Sequence, residues 1–330
     1  MPSPLGRVGP AQLVRGHVLL PAESAAPWLL LPRQRHYRLF VPSRAADGAS
    51  PLPLVVMIHG CRQDAESFAR GTRMDELAET HGFAVLYPEQ AQLANVRRCW
   101  NWFEAKTASG AGECELVLEM IREASRKAAI ADRKVFVAGL SSGGALAALL
   151  AFHHPERFQA VAVHSGLPPV WPISATLAFT VMKRGPEGSA QAMAERFWQQ
   201  PHRRGMRLTG PPPLLVLHGD ADTRVSEVNA GALVTLWRSI LELAPEAAGP
   251  IEKRSSTHAA QAGMRAYTQT DYLHNGRLFL RGIRIHGLAH AWSGGDAREP
   301  FFDACGPEAS ALIWAFFEKQ RQAHKPSVNV

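Results

Sequence analysis

One pentapeptide, Gly139-Leu140-Ser141-Ser142-Gly143, constrains this chain more than any other stretch. It follows the strand-like run Arg133-Lys134-Val135-Phe136-Val137-Ala138 and precedes the small, helix-prone run Gly144-Ala145-Leu146-Ala147-Ala148-Leu149-Leu150, so the order is strand, sharp turn, helix. A serine on such a turn needs glycine two positions to either side, because a Cβ there would crowd the strained backbone that lifts the hydroxyl into the open. Ser141 is therefore the candidate nucleophile. The same pattern also arises by chance in a chain with 27 glycines, and it is the flanking strand and helix that set this copy apart.

The rest of the chain is legible as alternating strands and helices. Leu54-Val55-Val56-Met57-Ile58 is apolar throughout, as a central parallel strand must be when helices cover both faces. It ends at His59-Gly60-Cys61-Arg62-Gln63. Acyl transfer needs two backbone N–H groups aimed at the developing oxyanion, each contributing about 3 kcal/mol. The residue after the nucleophile, Ser142, supplies one candidate, and the Cys61 backbone in the loop after this early strand supplies the other.

Helical spacing runs from Phe68 to His81 and stops at Gly82; strands follow at 83–88 and, after a helix from Glu113 to Ala129, at 133–138. Further strands are expected at 160–164, 214–218, 278–280 and 283–285, with helices at 226–242 and 309–323. Residues 166–213 are punctuated by proline, hold Trp171 and Trp198, and read as a small lid inserted in the sheet order, helical around Ala190 to Trp198. Residues 1–35 form a loose arm or an edge hairpin, Tyr37 to Val41 a half-buried strand, and Ala45 to Pro51 its turn. The architecture is thus α/β, a mostly parallel central sheet with helices on both faces. One domain covers 36–330, since no Gly/Ser tract or repeat marks a boundary, and 46% hydrophobic residues suffice for a core without metal or disulfide.

Three candidates fall at strand ends in the order serine, acid, histidine, the order of the α/β-hydrolase fold. Asp222 is preferred over Asp220 because it lies farther into the loop, in the form HGxxDxxV from His218 to Val225. His290, flanked by small residues, is preferred over His286. His59 and His218 read as buried strand-end histidines, and His164 and Ser165 as structural, since a triad takes its histidine from a later loop. The dense aromatics of Cys99-Trp100-Asn101-Trp102-Phe103 fit equally a core segment or the floor of a substrate cleft.

At this point the residues carry a resemblance. His59-Gly60-Cys61-Arg62-Gln63, Gly71-Thr72-Arg73-Met74, Tyr87-Pro88-Glu89-Gln90, Cys99-Trp100-Asn101-Trp102-Phe103, Gly139-Leu140-Ser141-Ser142-Gly143-Gly144, His164-Ser165-Gly166-Leu167 and His290-Ala291-Trp292-Ser293-Gly294-Gly295 are similar to the polyhydroxybutyrate depolymerase family of serine esterases, over about Arg38 to Phe317. The resemblance implies an α/β-hydrolase fold, no cofactor, and hydrolysis of polyester, oligoester or related acyl bonds. It implies that Cys61 and Cys99 pair near the oxyanion loop, and an extracellular or periplasmic location. No convincing signal peptide is visible, and a cytoplasmic location is the alternative.

Charge refines the substrate. The net charge is +7, and Arg62, Arg97, Arg98 and Arg224 all flank the candidate site. Tyr272 to Gly295 holds three arginines and no carboxylate, and the stretch from Gln199 to Pro211 adds Arg203, Arg204 and Arg207. A neutral polyester gains nothing from such a field, whereas a polyanion is steered by it. The expected substrate is an acidic polymer, for example poly(aspartic acid), whose hydrolases resemble the same family; the candidate contact residues are Arg62, Arg98, Trp100, Trp102, Arg224 and Trp292.

A polyhydroxybutyrate or short-chain polyester depolymerase, a feruloyl or acetylxylan esterase, and a non-catalytic basic binding protein are the alternatives. No nucleic-acid motif, metal-ligand spacing or apolar run of membrane-spanning length is present in the sequence, and a homodimer is compatible with it.

Overall fold

The computed structural model describes residues 10–19, 34–43, 51–170, 173–200, 210–244, 249–261 and 263–323. Apart from a two-stranded pair, β11 (Trp292–Ser293) with β12 (Phe302–Asp303), its strands are β1 (Gln12–Leu19), β2 (Gln34–Val41), β3 (Leu52–Ile58), β4 (Ala84–Pro88), β5 (Ile130–Leu140), β6 (Ala160–His164), β7 (Leu214–Gly219), β8 (Ile251–His258), β9 (Tyr267–His274) and β10 (Arg277–Ile285). The strands β1 to β10 form one sheet in the order β1-β2-β4-β3-β5-β6-β7-β10-β9-β8. The interior pairings from β4 through β10 are parallel, and the outer pairings on both flanks are antiparallel. This is the α/β-hydrolase architecture.

Helices cover both faces: α1 (Ala65–Thr72), α2 (Met74–His81), α3 (Ala105–Ala108), α4 (Glu113–Lys127), α5 (Ser142–His153), α6 (Ala175–Arg184), α7 (Ala190–Gln199), α8 (Val228–Glu242) and α9 (Ala309–Ala323). Period-2 alternation sends Leu54, Val56 and Ile58 of β3 into a core shared with α4, α5 and α8, and Val55 and Met57 into one shared with α1, α2 and α9. Every residue of α5 is buried, which is why its sequence carries no polar stripe.

The register aligns the functional edge. Ile58 lies opposite Gly139, Leu140 opposite His164, His164 opposite Leu217, and Gly219 opposite Ile285. All these strands run the same way, so the turns after β3, β5, β7 and β10 emerge together at their carboxyl ends, where ligands of such sheets bind.

Some expectations are corrected. The single helix from Phe68 to His81 is two helices, broken at Arg73, whose φ is 52°. Two carbonyls at the break go elsewhere: Gly71 O accepts from the Asp296 N–H (2.9 Å) and Thr72 O from Ser310 Oγ (2.6 Å). Asp64 starts α1 with a reciprocal capping box to Ser67.

Helix α6 and strands β8 and β9 were not expected. Apart from Ile251, all of β8 is exposed, so it has no alternation to read. Near the N-terminus β1 pairs antiparallel with β2 as an edge hairpin. The remainder of the arm (1–9 and 20–33), most of the turn at Ala45 to Pro51, Trp171, and Arg203, Arg204 and Arg207 lie outside the described residues.

Candidate active site

Ser141 sits between β5 and α5 with φ 56° and ψ −119°, a conformation that costs a non-glycine residue energy and is held by its surroundings. Both flanking glycines are obligatory by contact. A Cβ on Gly139 would stand 2.3 Å from Gly143 O, and one on Gly143 would stand 2.2 Å from Ile58 O. The Ser141 N–H donates to His164 O across the edge of β6 (2.9 Å), which fixes the turn.

The three candidates from distant parts of the chain meet here. Ser141 Oγ donates to His290 Nε2 (2.9 Å), and His290 Nδ1 donates to Asp222 Oδ2 (2.6 Å). Asp222 Oδ1 accepts the N–H groups of Arg224 (2.8 Å) and Val225 (2.9 Å). Burial pushes the Asp222 carboxyl pKa up, but donors converging from His218, His290 and the Val225 N–H outweigh it and hold the group well below the ordinary carboxylate range. Asp222 therefore stays ionised beside an imidazole whose δ-nitrogen carries the proton. His218 Nε2 donates to Val225 O (2.9 Å) and closes the same turn.

The strand-end histidines hold the frame. His59 Nδ1 donates to Gly60 O (2.7 Å) and its Nε2 accepts the Gln90 N–H (3.1 Å). His164 Nε2 accepts the Ser293 N–H (3.2 Å), and its Nδ1 donates to Ser165 Oγ (3.1 Å). Burial drives the first imidazole down to about 4 and the second to about 3, so both are neutral at neutral pH. The rejected candidates find each other: His286 Nδ1 donates to Asp220 Oδ2 (3.0 Å), and Thr268 Oγ1 donates to His286 Nε2 (3.0 Å).

A cavity of about 370 Å³ opens over Ser141 and is lined by Cys61, Ser142 and His290. Among the described residues neither the Cys61 nor the Ser142 N–H donates to a backbone acceptor outside a helix or strand, and Ser142, first in α5, has no intrahelical one. Cys61 is disulfide-bonded to Cys99, which ties the turn after β3 to the aromatic loop. Trp100 N–H donates to Ser142 Oγ (3.3 Å), and Arg62 N–H donates to Arg97 O (2.6 Å).

Arg62, Trp102 and Arg224 lie in the lining of this cavity, as does Trp100, whose side chain is fully buried. Two other assignments are corrected. Trp292 is fully buried, donates from Nε1 to Ser310 Oγ (3.2 Å), and stacks on His164; it supports the frame and is not among the residues lining this cavity. Arg98 lies outside the lining and pairs with Asp64 (3.1 Å).

The arginine-rich stretch from Tyr272 to Gly295 is largely neutralised from outside its own window, Arg281 by Asp271 (2.7 Å) and Arg284 by Glu227 (2.9 Å). What remains in the lining is Arg62, Arg97, Arg224 and Lys183, with no carboxylate among the lining residues. Lys183 was missed, together with Phe179 and Met182; α6 buries only Ala178 and Val181, and its short sequence lies in a stretch punctuated by proline.

Comparison with known proteins places this geometry in context. The model of the family described as Esterase PHB depolymerase matches residues 35–249. The poly(3-hydroxyalkanoate) depolymerase C of Paucimonas lemoignei is 32% identical over 185 residues, 55% of this chain; the match spans only 43% of that relative's length. A probable acetylxylan esterase A of Aspergillus flavus is 27% identical over 265 residues, covering 76% of this chain and 78% of the relative. Among solved structures, an acetyl xylan esterase from Aspergillus awamori superposes with a TM-score of 0.66 at 21% identity, over 92% of this chain and 99% of that one, a likeness of fold.

Proposed function

This chain belongs to the Esterase PHB depolymerase family, and from that premise we propose that it is a serine hydrolase cleaving acyl bonds of a polymer or oligomer through an acyl-enzyme on Ser141. The observation that carries the reading is the continuous relay Asp222–His290–Ser141, at 2.6 and 2.9 Å, ending on a strained turn at the floor of a cavity. Ser141 Oγ attacks the carbonyl carbon while His290 Nε2 takes its proton; the carbonyl oxygen becomes an oxyanion held by the Cys61 and Ser142 N–H groups. Collapse breaks the acyl bond, His290 returns the proton to the leaving group, and the acyl-enzyme remains. Water then repeats the cycle in reverse roles and frees the acid. Asp222 holds the imidazole tautomer and stabilises the imidazolium.

The substrate we favour is anionic, such as poly(aspartic acid), on the strength of the four lining cations, Arg62, Arg97, Lys183 and Arg224. A neutral polyester or acetylated polysaccharide is the competing reading, favoured by the names of the relatives and by the apolar lining residues Val96, Leu167 and Phe179. Hydrolysis of polyaspartate and of hydroxybutyrate oligomers at low and high salt separates the two. Polyaspartate cleavage that weakens about tenfold or more between 20 and 500 mM salt supports the anionic reading. Cleavage of the neutral oligomer alone, indifferent to salt, overturns it. The Cys61–Cys99 disulfide supports an oxidising compartment, extracellular or periplasmic.

A further inference from the structure

Behind the aromatic wall stands a carboxyl that acyl transfer does not use. Glu113, the first residue of α4, turns its side chain toward the loop that carries Trp100 and Trp102. Its Oε2 accepts the Asn101 N–H (2.6 Å), and its Oε1 accepts both the Asn101 Nδ2 (3.1 Å) and the Gln90 Nε2. Gln90 and Asn101 are themselves buried. Gln90 Nε2 also donates to Cys99 O (3.1 Å), and the Gln90 N–H reaches His59 Nε2 (3.1 Å). Trp100 Nε1 in turn donates to His59 O (3.1 Å). Through Gln90 and Asn101 one carboxyl thus joins the histidine that follows β3, the half-cystine bonded to Cys61, and the loop that carries the two tryptophans, of which Trp100 is bonded to the same histidine.

Every group named here as bonded to Glu113 is an N–H donor, so an acceptor-only carboxylate satisfies all of them at once. A glutamine would present an NH2 group to at least one of these donors. Burial pushes the Glu113 carboxyl up to about 7 even though the Gln90 and Asn101 bonds pull it down. A carboxyl buried this deeply is an expensive way to pack a helix start unless its acceptors are needed.

We propose that Glu113 is a positioning residue, clamping the segment 99–102 so that this loop, which contributes to the cavity lining, forms a fixed wall for the acyl chain held over Ser141. The proposal rests on Ser141 being the nucleophile. Its effect is on binding of the acyl chain rather than on the reacting atoms, so it separates substrates by size.

The test compares wild type with Glu113→Gln on p-nitrophenyl acetate and p-nitrophenyl octanoate, alongside the rate of inactivation by a small fluorophosphonate and the Tm. Expected is a loss of about tenfold or more in kcat/KM on the octanoate, carried mainly by KM. The acetate rate and the inactivation rate stay within about threefold of wild type. Equal losses on both esters with a lowered Tm make Glu113 merely structural and overturn the proposal, as does no change on either ester. If Glu113→Gln does not fold, Asn101→Ala, which removes the bridging amide, is expected to give the same split, and its failure to do so overturns the proposal equally. A wild-type protein that the fluorophosphonate does not label at Ser141 overturns the hydrolase reading and this inference with it; a labelled wild type with an unsplit variant overturns this inference alone.

Discussion

Two aspartate–histidine pairs stand side by side on the same two turns of this molecule, and only one of them ends on a serine. Asp222–His290 and Asp220–His286 come from residues two and four positions apart, and both use Nδ1 to a carboxylate oxygen. The second pair even continues to a hydroxyl, Thr268 Oγ1. They differ in burial: the Asp222 and His290 side chains are 0% and 9% exposed, those of Asp220 and His286 20% and 38%.

They differ more in what lies at the far end. Thr268 belongs to β9, paired in register with Arg284 on one side and Thr257 on the other, so its backbone serves the ladder. Ser141 belongs to a turn whose following N–H groups open a helix. An imidazole and a carboxylate are easily assembled where strand-end turns meet. The strained turn, which presents a hydroxyl beside the N–H groups that open a helix, is what sets the proposed nucleophile apart from a hydrogen-bonded threonine in a strand.

That contrast can be broken most decisively by parallel substitution. Ser141→Ala and His290→Gln are expected to lower ester turnover by about 10³-fold or more, while Thr268→Ala and His286→Gln stay within about threefold of wild type. A loss above about 100-fold from His286→Gln, or a fluorophosphonate adduct on the peptide carrying Thr268, would sink the distinction. A smaller difference is expected in stability. Asp222→Asn keeps the shape but faces buried N–H donors with an amide, and is expected to cost about 1–3 kcal/mol in urea denaturation at pH 7. Asp220→Asn acts at a solvated pair and should cost under about 1 kcal/mol. Thr268→Val, losing one half-exposed hydroxyl, should be the mildest of all; a larger effect than that of Asp222→Asn would mean that the outer relay, not the inner one, is the stabilising element.

Much of this arrangement was legible in the sequence because its demands are local. The glycines at 139 and 143, the acid four residues after a strand-end histidine, and a histidine among small residues each announce a turn with a job. What was hidden depends on partners far along the chain. Nothing near Arg98 reveals Asp64, and Arg281 and Arg284 look unpaired until β9 and α8 bring Asp271 and Glu227 alongside. Strand β8 was invisible because the sheet flank it forms faces water, so no apolar residues alternate along it. Trp292 reads as a contact residue from its place beside His290, yet the pleat turns it inward against His164. The α6 contribution to the cavity was missed because the helix is short, ten residues, and only two of them are buried.

The two neutral imidazoles embedded at the strand ends set how the molecule meets acid. His59 and His164 take up protons only near pH 4 and 3, whereas an unfolded chain takes them up near pH 6.5. Below about pH 6.5 the unfolded form therefore gains protons that the native form refuses, so native stability declines as pH falls toward 4 and is unaffected by these groups above 7. Two such sites steepen the decline by as much as about 3 kcal/mol per pH unit, and a pH series of urea midpoints would show it. The same packing that seats the serine's turn thus carries a penalty that grows as the solution is acidified below about pH 6.5.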